Sequence, residues 1–279
     1  MENKAIHRKY LMANEQDPAW GLVVNSVGYQ RIKKDENYPP VNHPTRYLFS
    51  VEKGRILDEY QLVYITRGAG YFTSNGQKKV KVNEGTIFLL FPNEWHSYYP
   101  DKKIGWEEYW IGFNGTTIDS LLNNGFFSQQ KALFNIGIQE DLVSIYQRAI
   151  EVAQKQPSGF QQLLAGFVNY ILGVTYSHDR QRSFVELEVV AQIDRAKLII
   201  IENYKDKITP EEIAEKINMG YSRFRKVFKE YTGFAPAQYV LSLRLQKSKE
   251  LLTNTNLTAQ EISFMVGFEN SDHFNAIFR

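Results

Sequence analysis

The sequence predicts a multi-domain α+β protein. A β-barrel with an antiparallel helix pair comes first, and an all-α domain carrying one helical unit twice follows. Three observations predict it. Runs of strand length, rich in branched and aromatic residues, fill Gly21 to Phe113. Two stretches with apolar residues at helical spacing lie between Ile138 and Val174. Thr209-Pro210-Glu211-Glu212 and Thr258-Ala259-Gln260-Glu261 then open two near-copies of one pattern, and an internal repeat outranks other signals.

Composition sets the bounds. A chain of 279 residues has room for two domains, each with its own core. It has no Cys, which excludes disulfides, a thiol nucleophile and a Cys-ligated metal. Met1 to Tyr10 is polar and charged, unlike a secretory leader. No apolar run approaches the roughly 20 residues that span a bilayer. A cytoplasmic protein with no membrane partner is expected. The formal charge of +2 does not by itself suggest nucleic acid.

Residues 1–20, polar and with Pro18 and Trp20, read as an arm or irregular segment. Leu22–Val24, Tyr47–Val51, Leu62–Ile65, Gly70–Thr73, Val80–Val82, Ile87–Phe91 and Trp110–Phe113 read as strands. Asn75-Gly76 and Asn83-Glu84-Gly85 are turn signals between them. Many short strands at close spacing imply a sandwich or barrel.

Trp95, His96 and Tyr98, then Trp106, Glu108 and Trp110, fall on two runs expected to be adjacent strands. Positions 106, 108 and 110 share a face by the two-residue period. Tyr98 with Trp110 offers a stacking platform. Glu108 and His96 offer hydrogen bonds, and Arg55 or Arg46 a charged donor. A carboxylate between two indoles suits a ligand pocket better than a dry core. Aromatic faces beside a carboxylate and an arginine suit a sugar, whose C–H faces stack while its hydroxyls pair. Two alternatives stay open: these aromatics as core packing, and His96 as a satisfied structural histidine. The barrel has His43 and His96 but no His-x-His pair, so no metal and no cofactor is expected.

Ile138, Leu142, Ile145, Ala149 and Val152 step at helical spacing, as do Phe160, Leu163/Leu164, Phe167, Ile171 and Val174. Gln156-Pro157-Ser158-Gly159 breaks them into an antiparallel pair. One stripe packs on the barrel. The other is free to pair a homodimer through 138–175, or to cover the barrel as well. The barrel domain with its helix pair is expected over 1–178, a linker over 179–186, and the helical domain over 187–279.

In that last domain each copy opens with a capping box, Thr209 with Glu212 and Thr258 with Glu261. A short helix follows, then a turn containing Gly220 or Gly267, then a second helix from Ser222 or Ser271. This is a helix-turn-helix, whose second helix enters the DNA major groove. Phe224/Phe228 and Phe274/Phe278 form the buried sides. The free sides carry Ser222, Arg223, Arg225, Lys226 and Lys229 in the first copy, and Ser271, Asp272, Asn275, Ala276 and Arg279 in the second. Arg and Lys read guanine or hold phosphate, and Asn pairs with adenine. Pro236 to Leu252 reads as one long helix joining the two heads. From Lys216 to Lys249 the chain has eight basic residues and one acid, the local positive strip that phosphate binding leaves.

Two resemblances follow from these residues. Thr232-Gly233-Phe234-Ala235-Pro236, Arg244-Leu245, Leu251-Leu252, and Ile262 through Val266-Gly267-Phe268 to Ser271, Phe274 and Phe278 resemble the DNA-binding domain of the AraC/XylS family of bacterial transcription regulators. The match covers nearly all of 187–279. It implies that Ser222, Arg225 and Lys226 face bases from the first recognition helix, and Ser271, Asn275 and Ala276 from the second. Ala276 departs from the family habit of a polar or basic residue there, which implies weaker base reading by the second head. The family continues past the position of Arg279, so a shortened chain is expected. Gly68-x-Gly70, Val82-x-x-Gly85, Phe91-Pro92 and His96, with Tyr60–Gly68 and Gly105–Trp110, resemble a small cupin barrel over about 40–115. In the arabinose-responsive relatives, positions matching Tyr98, Glu108 and Trp110 contact sugar.

The expectation is a sequence-specific DNA-binding regulator, not an enzyme, whose barrel binds a small-molecule effector, a carbohydrate. Two rivals are a barrel that is a dimer scaffold and a sugar-modifying cupin enzyme. The lack of ligand histidines weighs against the second.

Overall fold

The computed structural model describes residues 6–39, 50–182 and 187–278. The chain divides into two compact units, Met1–Asp179 and Arg180–Arg279. Arg46, His43 and Arg279 lie outside the described residues.

Among its described residues the first unit has nine strands: β1 (Ile6–Tyr10), β2 (Val23–Ile32), β3 (Arg55–Ile56), β4 (Tyr60–Ser74), β5 (Gln77–Asn83), β6 (Thr86–Leu90), β7 (Trp95–Pro100), β8 (Trp106–Asn114) and β9 (Leu133–Asn135). The main path runs β1-β2-β8-β4-β6-β9, with β5 and β7 on β4 and β3 on β7. β4 is the shared member. Tyr60 to Gly68 pairs with β8, and Ala69 to Ser74 pairs with β5 and β7. The register shifts between Ile65 and Arg67, and such a bulge bends a strand from one sheet into the next. The faces then meet inside: Phe88 of β6 lies 5.4 Å from Phe72 of β4 and 5.0 Å from Tyr98 of β7. Tyr98 in turn lies 6.2 Å from Trp106 of β8.

Several expectations change. Leu62–Ile65 and Gly70–Thr73 are one strand, not two. Gly70 is not a break; a side chain there would collide with Tyr99 O and the Trp106 ring. Ile6–Tyr10 is a strand paired along its length with β2, not an irregular arm. β2 extends well past Val24, and its alternate residues Val24, Ser26, Gly28, Gln30 and Ile32 are buried while Arg31 is exposed. Of the expected strand 47–51, only Ser50 and Val51 fall in the described residues; Ser50 bridges to Gly54 and Val51 is in a turn. β7 and β8 are not hydrogen-bonded neighbours; each pairs with a different part of β4.

After a short helix α1 (Thr116–Asn123), helices α2 (Glu140–Lys155) and α3 (Phe160–Arg182) pack on the sheet. α2 buries Leu142, Tyr146, Ala149 and Ala153, and Tyr146 donates to Leu62 O at 3.2 Å. α3 buries Leu164, Ala165, Val168, Ile171 and Leu172. The Gln161 side chain bonds both Val24 N and Val24 O, at 2.9 and 3.0 Å, pinning α3 to β2. Residues 179–182 of the expected linker are helical, and 183–186 lie outside the described residues.

The second unit contains α4 (Leu187–Asn203), α5 (Pro210–Lys216), α6 (Tyr221–Thr232), α7 (Pro236–Asn254), α8 (Ala259–Met265) and α9 (Ser271–Phe278). Its described residues form two separate apolar clusters. One gathers α4, α5 and α6 around Ile213, Phe224 and Phe228, and the other gathers Ile262, Val266, Phe268 and Phe274. α7 serves both, giving Tyr239, Val240 and Leu243 to the first and Leu241, Leu245 and Leu251 to the second. Among the described residues, no helix is long and apolar enough to cross a membrane.

Candidate functional site

Two sites emerge, one inside the barrel and one on the helical unit. In the barrel the two-residue period places Trp106, Glu108 and Trp110 on the inner face of β8, opposite Ile32, Gln30 and Gly28 of β2. From the other half come Arg55 of β3 and His96 of β7, which are paired in register, and Tyr98 two residues on. Arg55 Nε donates to His96 Nε2 at 3.2 Å, and Arg55 Nη2 donates to the Tyr98 hydroxyl at 2.5 Å. A guanidinium cannot accept, so His96 Nε2 carries no proton and Nδ1–H donates to Glu94 O at 3.1 Å. Burial, and then the Arg55 charge, lower the His96 pKa to about 3, so the ring stays neutral. His96 therefore orients Arg55.

Glu108 is 2% exposed. Its Oε1 accepts from Gln30 Nε2 and from the Tyr38 hydroxyl at 3.3 Å. Burial pushes its pKa up to about 7, against the opposing pull of the Gln30 hydrogen bond and Arg55. Burial likewise pushes Tyr98 up to about 12. Trp106 meets Tyr38 edge to face at 5.8 Å and leans on Tyr98. The expected platform of Tyr98 with Trp110 is thus formed with Trp106. Trp110 instead folds across Gly28, filling the space a side chain there would need. A second polar nest lies on the same lining: buried Glu59 accepts from Ser26 Oγ at 3.3 Å and from Gln61 Nε2 at 2.9 Å.

Four buried polar atoms on this lining have no hydrogen-bond partner among the described residues: Glu108 Oε2, Gln30 Oε1, Trp106 Nε1 and Arg8 Nη1. Gln30 Oε1 accepts, Trp106 Nε1 and Arg8 Nη1 donate, and Glu108 Oε2 accepts when ionised and donates when protonated. Buried polar groups are nearly always satisfied, so such a set needs an explanation. Sequence reasoning missed Arg8, Gln30, Tyr38 and Glu59. The alternation along 23–32 offered a signal for Gln30; nothing local paired it with a residue 78 positions away. Among the described residues, no group of three or more His, Asp or Glu side chains could hold a metal.

On the helical unit both capping boxes form: Thr209 N donates to Glu212 Oε2 at 2.8 Å and Glu212 N to Thr209 Oγ1 at 3.2 Å, with the same distances for Thr258 and Glu261. Both turns contain the expected glycine, but only Gly267 is left-handed; Gly220 has φ −61. Gly267 has φ +94 and lies against Lys205 O, so it needs glycine. Its counterpart in the first copy is not Gly220 but Asn218, at φ 54, a residue that tolerates the left-handed region. Phe224, Phe228 and Phe274 are buried, and Phe278 is partly buried. Ser222, Arg223, Arg225, Lys226 and Lys229 are all exposed on α6, and Asp272, His273, Asn275 and Ala276 on α9; Ser271 is half-buried. Arg244, counted above in the positive strip, is engaged otherwise. Its guanidinium donates to Tyr204 O at 2.7 Å and Asp206 O at 2.9 Å and lies over the Phe268 ring.

A barrel with a polar-lined interior, joined to paired helix-turn-helix units, defines a ligand-responsive transcription regulator. Residues 43–191 match the AraC-like ligand binding domain and 213–279 a helix-turn-helix domain. The chain belongs to the AraC family of DNA-binding transcription regulators, and it is a regulator rather than an enzyme. It is similar to the Msm operon regulatory protein of Streptococcus mutans, 29% identical over 80% of this chain and 81% of that one. It is also similar to the raffinose operon transcriptional regulatory protein of Pediococcus pentosaceus, 24% identical over 83% and 84%. The lactose operon transcription activator of Staphylococcus xylosus is 27% identical over 74% of each chain.

Proposed function

We propose that the barrel binds a neutral carbohydrate and that this regulator answers to it. The observation that carries the reading is the set of four orphaned atoms. Gln30 Oε1 calls for a donor, Trp106 Nε1 and Arg8 Nη1 for acceptors, and Glu108 Oε2 for a donor when ionised and an acceptor when protonated. A hydroxyl does both, so a polyol satisfies a mixed set that a purely anionic or apolar ligand leaves half unmet. The indoles and tyrosines supply stacking faces. Arg55, His96, Tyr98, Trp106, Glu108 and Trp110 are the proposed contacts, with Arg46 retained from the sequence. Regulators named for raffinose and lactose operons among the relatives support the same class. The test is a calorimetric titration with a panel including raffinose, lactose, monosaccharides and sugar acids. Saturable binding of a neutral sugar, weakened at least tenfold by Gln30→Ala, is expected. No binding across the panel would leave the barrel as a scaffold.

We infer further that a homodimer forms through α3, whose outer face exposes Leu163 and Tyr170 beside Gly166 and Gly173. Side chains added at either glycine would meet nothing within 4 Å, so a second helix has room to approach closely. On DNA, α6 and α9 are the proposed recognition helices, reading successive major grooves about 34 Å apart. The workplace is the cytoplasm, with the DNA.

A further inference from the structure

The buried phenylalanines fix how the two recognition helices correspond. Phe224 and Phe228 of α6 occupy the places that Phe274 and Phe278 take in α9. In that register Arg223, Arg225 and Lys226 correspond to His273, Asn275 and Ala276, and all six are exposed. Three of the four basic positions of the first head are therefore replaced in the second by residues that carry no fixed positive charge; the fourth, Lys229, corresponds in sequence to Arg279, which lies outside the described residues.

The surroundings sharpen the contrast. α6 has four Lys or Arg and no acid in its first turn. It starts after Gly220, which has no side chain to cap its leading amides. α9 has Asp272 in its first turn and no Lys or Arg. Its leading end is occupied, because Asn270 Oδ1 accepts from Asp272 N at 2.7 Å. Glu269, exposed just before α9, holds Lys207 at 2.9 Å. A phosphate approaching α6 would meet open amides and cations; at α9 it would meet Asp272, a Glu269–Lys207 ion pair and a filled cap. What α9 keeps is base-reading chemistry without charge: Asn pairs bidentately with adenine, and an alanine methyl packs on the thymine methyl.

We propose that the heads divide the work. α6 supplies most of the affinity and reads a guanine-bearing subsite through Arg225 and Lys226. α9 reads an A·T subsite through Asn275 and Ala276 and adds specificity with little electrostatic attraction. The proposal rests on the reading of α6 and α9 as recognition helices.

The test is selection of binding sites from random duplex DNA by the full chain, then titrations of variants at several salt concentrations. All the changed residues are exposed, and thermal melting checks that the variants fold. The expected site has a guanine-bearing half and an A·T half about one helical turn apart. Arg225→Ala should lower affinity about tenfold or more and relax a guanine position. Lys226→Ala should reduce the salt slope by about one unit. Asn275→Ala should relax an adenine position with the salt slope unchanged, and Ala276→Arg should steepen that slope. Guanine under α9, or a salt slope that falls equally for changes in either helix, would overturn the division of work while leaving DNA binding intact. Failure to select any site would remove the recognition-helix reading and this proposal with it.

Discussion

Gln30 and Glu108 face one another across the β2–β8 pair, and the Gln30 amide donates to one carboxylate oxygen while the other has no partner among the described residues. This half-satisfied carboxyl, 2% exposed, should make the stability of the barrel depend on pH. Its pKa is about 7 in the fold, raised from 4.5 chiefly by burial. A raised carboxyl stabilises the fold fully below 4.5, and the contribution is lost as pH climbs through 7. The shift corresponds to about 3 kcal/mol. Melting temperature should therefore fall between pH 5 and pH 8, and Glu108→Gln, which cannot ionise, should flatten that fall. His96 stays neutral throughout this window, its pKa lying near 3. Parallel melting profiles for the two proteins would show that Glu108 does not titrate there.

Gly28→Ala should destabilise the first unit by about 2 kcal/mol through overpacking, because the Trp110 ring occupies the space a side chain would enter. Trp110→Leu in the same chain should recover part of that loss. Urea denaturation of both single variants and the double variant measures the coupling. Additive losses would mean the two positions do not compete for space.

Arg244→Ala should cost the helical unit about 2 kcal/mol, since a charged donor to two carbonyls is removed. The loss should leave the salt dependence of DNA binding unchanged, unlike Lys226→Ala. Chemical denaturation and a salt series on one DNA fragment read the two effects separately. A shallower salt slope for Arg244→Ala would return it to the phosphate-binding strip.

Gly166→Leu on the outer face of α3 should weaken self-association at least tenfold, read by analytical ultracentrifugation. Gly166→Ala in the monomer should gain about 0.5–1 kcal/mol of helix stability, since the site opens onto free space in one chain. Unchanged association for Gly166→Leu would place the dimer contact elsewhere.

Legibility followed the range of the interactions. The capping boxes, the Phe pairs and α7 were readable because they depend on residues three or four positions apart, which is what helix geometry couples. The first turn contains Gly220 as expected, but which of its residues is left-handed was not legible. Asn218 carries that conformation, and asparagine gives a weaker signal than glycine. β1 was missed because a polar edge strand has little apolar alternation. β4 was read as two strands because its glycines mark a collision with Trp106 rather than a turn.

By itself the sequence determined the order of domains, the doubled helical unit, the exposed polar sides of α6 and α9, and the inner face shared by Trp106, Glu108 and Trp110. Each is encoded within a few residues by the period of a helix or strand. Only the tertiary structure decided that Gln30 and Tyr38 hold Glu108, that His96 orients Arg55, that Trp106 rather than Trp110 meets Tyr98, and that Arg244 braces the helices. Those partners come from strands and helices distant in the chain, and which ones meet is set by closing the barrel and packing the helices.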